Sequence, residues 1–187
     1  MYKTDSYFTN FVHNNIAIPL IYNYLDWHEI KFDKENTELC DIKKEVDYVF
    51  ENTNGKQIKI QERFRDKKYK NFNDFTLKYK QEEVNKIDAD YLTYGITNIA
   101  KENTNQNQDL DFIKFAIINL KNLFEKIENK QIILKTDIKK SVIENKIMYV
   151  PILTNVDKSS SFVAFDIKLL NELTNNQEII IIQKGFY

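Results

Sequence analysis

The sequence predicts one domain, residues 1–187, of the α/β or α+β class, with a single mixed β-sheet flanked by helices on at least one face. Three observations predict this class. The chain has 187 residues and is 42% hydrophobic, which is enough for one well-buried core. Two alternating apolar and polar runs surround an Asn-Gly pair, which is typical of a β-hairpin. A later run repeats its apolar residues at helical spacing.

The N-terminal segment is rich in aromatic and aliphatic residues and predicts two helices, over residues 6–13 and 16–27. We expect Asn14 or Asn15 to cap the second helix. Pro19 would then lie in its first turn, where a missing N–H group costs little.

The hairpin is the clearest local prediction. Residues 46–51 and 58–65 alternate, and Asn52-Thr53-Asn54-Gly55 lies between them. The polar residues 30–44 that precede the hairpin show little periodicity and predict a loop. A third strand over residues 75–80 is expected to follow the hairpin directly, because its apolar residues also alternate.

The second half of the chain predicts further strands and helices. A strand is expected over residues 91–96, where Gly95 indicates a bulge or a close approach to the backbone. The clearest helix covers residues 110–127, with Asp109 and Asp111 at its start. Shorter runs predict strands over residues 132–134, 147–153 and 162–165, a helix over 169–173, and a final, central strand over 178–183.

The net charge of -1 argues against a general nucleic-acid binder, but the charge is unevenly distributed. Residues 56–80 hold nine Lys or Arg and three Asp or Glu, so this ribbon is basic on an acidic body. Such a ribbon is expected to contact a phosphate backbone, and the alternative is a solvated charged face. Arg63 and Arg65 are the only arginines, and the planar guanidinium suits phosphate or carboxylate better than lysine does.

Other features point to a cytoplasmic protein with no membrane association. Cys40 is the only cysteine, so no disulfide can form within the chain. The N-terminus lacks the apolar run of a signal peptide, and no apolar stretch reaches the roughly 18 residues of a spanning helix. His13 and His28 have no third ligand at a spacing that suggests zinc, so each is predicted to be a core-edge or surface histidine.

The faces of the hairpin suggest metal chemistry. Alternation places Gln61 and Arg63 on one face of the second strand and Glu62 on the other. Asp47 on the first strand, together with Glu62 or Gln61, is a candidate ligand set for Mg²⁺ or Mn²⁺. The register is open, because a two-residue turn pairs Asp47 with Glu62, whereas a loop one residue longer or shorter pairs it with Gln61 or Arg63.

Asp47, the turn and Ile58-Lys59-Ile60-Gln61-Glu62-Arg63 resemble the PD-(D/E)xK superfamily of restriction-endonuclease-like nucleases. The resemblance covers about half of the chain. It implies a restriction-endonuclease-like core and cleavage of DNA with Mg²⁺ or Mn²⁺. It also implies a homodimer where both strands are cut. The implied catalytic residues are Asp47, Gln61, Glu62, Arg63 and, on the third strand, Lys78. The chain departs from the family, because Gln61 stands in place of a carboxylate and Arg63 in place of a lysine.

Two other interpretations stay open. Asp47, Glu62 and Arg63 are equally suited to a cross-strand salt bridge on an exposed face. The basic ribbon is also suited to a noncatalytic module that binds nucleic acid or protein, with Tyr69 and Phe72 available to stack on bases. The residues predicted to contact nucleic acid are Lys59, Arg63, Arg65, Lys67, Lys68 and Lys70.

Overall fold

The computed structural model describes residues 2–30, 46–79, 87–104, 109–158, 160–174 and 177–187. These residues form an α+β fold with three α-helices and two mixed sheets. The α+β class is therefore confirmed, and the prediction of a single sheet is wrong. The helices are α1 (Tyr2–Val12), a π-helix (His13–Tyr22), α2 (Leu120–Glu128) and α3 (Ile167–Leu173), with short 3₁₀ turns at Lys67–Tyr69 and Lys101–Asn103.

The first sheet has six strands in the order β1-β2-β3-β5-β6-β11. Only the β3–β5 pair is parallel. The helical N-terminal segment covers one face of this sheet, where Phe8, Val12 and Ile16 pack with Ile58 and Ile60. The strands are β1 (His28–Glu29), β2 (Tyr48–Glu51), β3 (Gln57–Arg65), β5 (Tyr91–Thr97), β6 (Phe112–Asn119) and β11 (Ile180–Lys184).

The second sheet has five strands and packs on the opposite face of the first. Its order is β4-β10-β9-β7, with β8 paired to β9. Phe75, Leu77 and Phe165 from this sheet share one core with Leu92 and Ile96 from the first. The strands are β4 (Asp74–Tyr79), β7 (Ile132–Lys135), β8 (Val142–Glu144), β9 (Ile147–Thr154) and β10 (Ser161–Asp166).

The hairpin of β2 and β3 is confirmed, as is the strand that directly follows it. This strand, β4, does not extend the hairpin into one sheet. The two edges of β3 are already occupied by β2 and β5, so β4 pairs with β10 instead. The competition for the edges of β3 is the physical reason why the chain forms two sheets.

The helix predicted over residues 110–127 is wrong in its first half. Residues up to Asn119 form β6, and α2 begins only at Leu120, with Asn119 as its N-cap. The β-branched residues Ile117 and Ile118 are both fully buried between β5 and β11. A run that is apolar on both faces is compatible with a central strand as well as with a helix, and β-branched residues favour the strand.

The two predicted N-terminal helices are in fact one helical stretch. α1 continues into the π-helix at His13 without a break, so neither asparagine is a cap. Instead, the Asn14 and Asn15 side chains donate to the carbonyls of Asn10 and Phe11 one turn earlier. Pro19 lies inside the π-helix and not in a first turn.

The predicted strand over residues 91–96 is confirmed as β5, and the ring of Phe112 packs directly on Gly95. The final strand is confirmed as β11, but its predicted central position is wrong. In the described part of the chain β11 pairs only with β6 and forms the last strand of the first sheet. The predicted strands within residues 132–165 and the short helix over 169–173 are confirmed.

Most of the predicted loop over residues 30–44, together with Cys40 and Lys80, lies outside the described residues. Within the described ranges, the helices are all too short or too polar to cross a membrane.

Candidate functional site

Strand β3 presents two different faces. Ile58, Ile60, Glu62 and Phe64 are buried against the helical N-terminal segment, whereas the residues between them are partly exposed. Because side chains alternate along a strand, Gln61 and Arg63 point to the opposite face from Glu62. The carboxylate of Glu62 therefore cannot share a site with Gln61 and Arg63.

Asp47 immediately precedes β2, and its backbone lies against Ile60 on β3. The register of the hairpin pairs Tyr48 with Ile60. The backbone N–H of Asp47 donates to the carbonyl of Ile60 over 2.9 Å. Its carboxylate Oδ2 in turn accepts the backbone N–H of Glu62 over 2.6 Å. Asp47 thus contacts the backbone of Glu62.

The Glu62 side chain is held in a buried hydrogen-bond network. His13 Nδ1 lies 2.9 Å from Glu62 Oε1, and the Tyr22 hydroxyl donates to the same oxygen over 2.6 Å. Thr93 Oγ1 is 2.9 Å from the Tyr22 hydroxyl. Since the Tyr22 proton is directed at Glu62, Thr93 acts as the donor there. The network joins the π-helix to β3 and β5.

His13 is fixed from several sides. Its Nε2 is 3.5 Å from Glu29 Oε2, and its ring stacks on Tyr48 with centroids 3.6 Å apart. Burial alone would lower the pKa of His13, but the hydrogen bond and charge of Glu62 outweigh it and raise that pKa. Burial also raises the pKa of Glu62, against the opposing effect of His13. The geometry therefore favours a proton on this pair.

The metal site that the nuclease resemblance implies stays a prediction, and its candidate ligands have other contacts in this structure. Glu62 Oε1 is taken by His13 and Tyr22, and its Oε2 has no hydrogen-bond partner among the described residues. Alternation places Gln61 on the other face of β3. The Asp47 carboxylate lies closer to the network, because burial and the charge of Glu62 raise the pKa of Tyr22 and the charge of Asp47 adds to that shift. In the described ranges no three His, Cys, Asp or Glu residues are grouped to hold a metal ion.

The arginines lie on the face of β3 that looks toward the second sheet. Arg65 donates to Thr76 Oγ1 on β4 over 3.1 Å, and its guanidinium lies 4.7 Å from the centre of the Tyr69 ring. Arg63 is paired with Tyr94 across the parallel strands. Burial raises the pKa of Tyr94, and the charge of Arg65 opposes that shift. Arg65 thus packs between the sheets as well as bordering the surface.

The basic residues after β3 lie on a tight and well-anchored turn. Lys67, Lys68 and Lys70 are all exposed. Asp66 is buried and caps the turn by accepting the backbone N–H of Lys68 over 3.1 Å. The backbone N–H of Lys67 donates to the carbonyl of Ile99 over 3.0 Å, which ties the turn to the first sheet. The three ammonium groups are therefore presented by an ordered backbone.

Two aromatic rings border this turn. Phe72 is 53% exposed, and its ring centroid lies 5.9 Å from that of Tyr69. Lys114 on β6 donates to the carbonyl of Phe72 over 2.9 Å and to Asn73 Oδ1 over 2.6 Å. Burial lowers the pKa of Lys114. We call residues 66–73 the basic-aromatic segment.

Two other lysines of the predicted site, Lys59 and Lys78, lie outside the basic-aromatic segment. Lys59 forms an ion pair with Asp88, with 2.8 Å between Nζ and Oδ2, near the start of β3. Lys78 is exposed on β4, on the same face as Thr76, which accepts from Arg65. Of the predicted set, only the lysines of the basic-aromatic segment form a compact exposed group with an aromatic side chain beside them.

The sequence did not reveal the network around Glu62. His13 and Glu62 are 49 residues apart, and Tyr22 and Thr93 are 71 apart. The available signals were a histidine inside an apolar helical run and an acid at a core-facing position of a strand. Each is ambiguous alone, and only the packing of the π-helix on the first sheet joins them.

Comparison with protein-family models, with curated proteins and with solved structures gives no match in any of the three.

Proposed function

We propose that this protein binds single-stranded DNA without cleaving it, through the basic-aromatic segment. The observation that carries the proposal is the combination of three exposed lysines with a half-exposed phenylalanine on one anchored turn. Lysines contact phosphates regardless of sequence, and exposed aromatic rings stack on unpaired bases.

The charge around the segment supports an anionic ligand. Lys68 forms an ion pair with Asp66 at 3.3 Å, but its side chain is 65% exposed and such surface pairs are weak. The hydrogen bond and charge of Asp66 raise the pKa of Lys68, and the charge of Glu102 adds a smaller contribution. The side chains of the three lysines are nevertheless exposed, so a phosphate backbone can approach them.

The anchoring of the segment supports binding with a low ordering cost. Three hydrogen bonds hold its backbone in place. The N–H of Lys67 donates to the carbonyl of Ile99, and the carbonyl of Phe72 accepts from the ammonium group of Lys114. The carbonyl of Asn73 accepts from the backbone N–H of Ile167. A loop that is already ordered loses less conformational entropy when a ligand binds. This feature distinguishes the segment from a merely solvated charged face.

Fluorescence anisotropy with a labelled oligonucleotide tests the proposal. The variant Lys67→Gln/Lys68→Gln/Lys70→Gln is expected to lose most binding. The control Lys139→Gln/Lys140→Gln/Lys168→Gln removes the same charge from exposed lysines elsewhere and should bind like the wild type. Equal loss in both variants would show that overall charge, and not this segment, governs binding.

The nuclease activity that the resemblance implies stays a separate prediction. It is tested by incubating plasmid DNA with the protein, with and without Mg²⁺ or Mn²⁺, beside the variant Asp47→Ala. On the proposal of noncatalytic binding, plasmid stays intact under all conditions. Metal-dependent cutting that is lost in Asp47→Ala would contradict the proposal and support the nuclease.

A further inference from the structure

A second candidate site lies at the end of the first sheet where β3 and β5 begin and β6 ends. It is a cavity of about 240 Å³ between Trp27, which follows the turn after the π-helix, and the start of α2. The basic-aromatic segment follows the other end of β3. The nine residues of β3 rise by about 3.3 Å each, so roughly 26 Å separates the two sites. The cavity is therefore a distinct feature of the molecule.

One wall of the cavity is aromatic. Trp27 and Tyr91 both line it, with ring centroids 5.6 Å apart. Trp27 is also stacked on Tyr22 at 6.2 Å, and its backbone N–H donates to the carbonyl of Tyr22 over 2.9 Å. Asp26 has a left-handed backbone, with φ of 53°, and turns the chain so that Trp27 folds back onto the sheet. The wall is thus fixed before a ligand arrives.

Hydrogen-bond donors dominate the rest of the lining. Lys56 and Lys121 are exposed at the cavity, and neither ammonium group forms a hydrogen bond or ion pair with another described residue. Asn119 uses its Oδ1 to cap α2 through the N–H of Asn122, which leaves its amide N–H groups for a ligand. The single carboxylate, Asp90, already accepts the backbone N–H of Lys59 through Oδ2 over 2.8 Å.

An aromatic wall beside two unpaired lysines matches an aromatic anion. We propose that this cavity binds a nucleoside monophosphate, either free or as the 5′-phosphorylated end of a strand. The base lies against Trp27 and Tyr91, and the phosphate is held by Lys56 and Lys121. A volume of 240 Å³ falls just below the usual range of ligand pockets, which suits one base with its phosphate at the mouth. A purely apolar ligand would leave the donors unsatisfied.

The protein contains one tryptophan, so its emission reports directly on this cavity. Titration with AMP is expected to give a saturable change in Trp27 fluorescence. Adenosine and inorganic phosphate, which each supply half of the ligand, should bind at least tenfold more weakly. The absence of any saturable change up to about 10 mM AMP, a concentration that fills even weak sites, would overturn the proposal.

Substitutions of Lys56 and Lys121 test whether these two lysines bind the phosphate. Lys56→Gln/Lys121→Gln should weaken AMP binding at least tenfold, while Lys139→Gln/Lys140→Gln, with the same loss of charge, should not. All four lysines are exposed, so these variants are expected to fold. Unchanged affinity in Lys56→Gln/Lys121→Gln would overturn the assignment of the phosphate position.

Two further titrations complete the test. One distinguishes a free nucleotide from the end of a strand, and the other distinguishes the cavity from the basic-aromatic segment. A 5′-phosphorylated trinucleotide that binds more tightly than AMP would identify a strand end, and equal affinity would identify a free nucleotide. Lys67→Gln/Lys68→Gln/Lys70→Gln should leave AMP binding unchanged. A loss of AMP binding in that variant would overturn the assignment of a separate cavity.

Discussion

The substitution Glu62→Gln probes the buried network that joins the π-helix to the first sheet. The Glu62 side chain is 0% exposed and that of His13 is 2% exposed, with 2.9 Å between Oε1 and Nδ1. Glutamine keeps the shape and one acceptor oxygen but removes the charge. Its amide nitrogen would take the place of Oε2, which has no partner among the described residues, so a buried donor would be left unsatisfied.

The loss of unfolding free energy caused by Glu62→Gln depends on pH. Below pH 6.5 the variant must either hold His13 neutral or bury it protonated with only the more distant Glu29 carboxylate as a partner, and breaking a buried pair in this way costs about 3–5 kcal/mol. At alkaline pH His13 is neutral and only the unsatisfied amide remains, which costs about 1–3 kcal/mol. The loss of unfolding free energy should therefore be larger in acid.

The direction of this pH dependence follows from the raised pKa values of His13 and Glu62. In the wild type the pKa of His13 is raised above 6.5, so its contribution to stability is present below pH 6.5 and lost as the pH rises through the folded pKa. The pKa of Glu62 is raised above 4.5, so its contribution is likewise lost toward higher pH. In the variant burial dominates and lowers the pKa of His13, so stability is lost as the pH falls below 6.5.

Urea unfolding of both proteins at about pH 5.5 and about pH 8.5 measures this difference. Circular dichroism follows the transition, and the control is His13→Gln/Glu62→Gln, which should show a smaller dependence on pH. A loss of stability that is equal at the two pH values, or larger at pH 8.5, would refute the interpretation of the network as a proton-binding pair.

Three further substitutions test other parts of the structure. Gly95→Ala would place a methyl group into the ring of Phe112, which is 1% exposed, so overpacking should lower the unfolding free energy by about 1–3 kcal/mol in thermal or urea melts. Arg65→Lys loses the contacts with Thr76 and the Tyr69 ring and should cost about 1 kcal/mol, with unchanged stability as the contrary result. Phe72→Ala should weaken single-stranded DNA binding by about 1–3 kcal/mol and leave duplex binding unchanged, because only unpaired bases can stack. An equal effect on both forms of DNA would contradict stacking.

Local chemistry explains which elements could be predicted. The β2–β3 hairpin depends on Asn54 and Gly55, which lie next to each other in sequence, and it was predicted correctly. The five-residue connection between the strands fixes the register that the sequence leaves open, and it pairs Tyr48 with Ile60. β6 was mistaken for a helix because it is buried on both faces, so its apolar residues show no period of two.

Long-range packing explains what could not be predicted. The second sheet arises because β3 has no free edge for β4, and strand pairing of this kind is not encoded in either strand alone. Similarly, Glu62 could be assigned to the core-facing side of β3 from its alternation, but its partners His13 and Tyr22 could not be identified. The three lysines of the basic-aromatic segment are neighbours in the sequence and their side chains are exposed, and their contact with nucleic acid stays a prediction.

The salt dependence of DNA binding tests the central proposal most directly. If Lys67, Lys68 and Lys70 each contact one phosphate of a single strand, the logarithm of the affinity should fall with the logarithm of salt concentration with a slope of about -2. Between about 50 mM and 200 mM salt this slope corresponds to a loss of about 20-fold. The variant Lys67→Gln/Lys68→Gln/Lys70→Gln should bind weakly with a slope near zero. A slope that stays the same in this variant would contradict the assignment of the basic-aromatic segment as the DNA-binding surface.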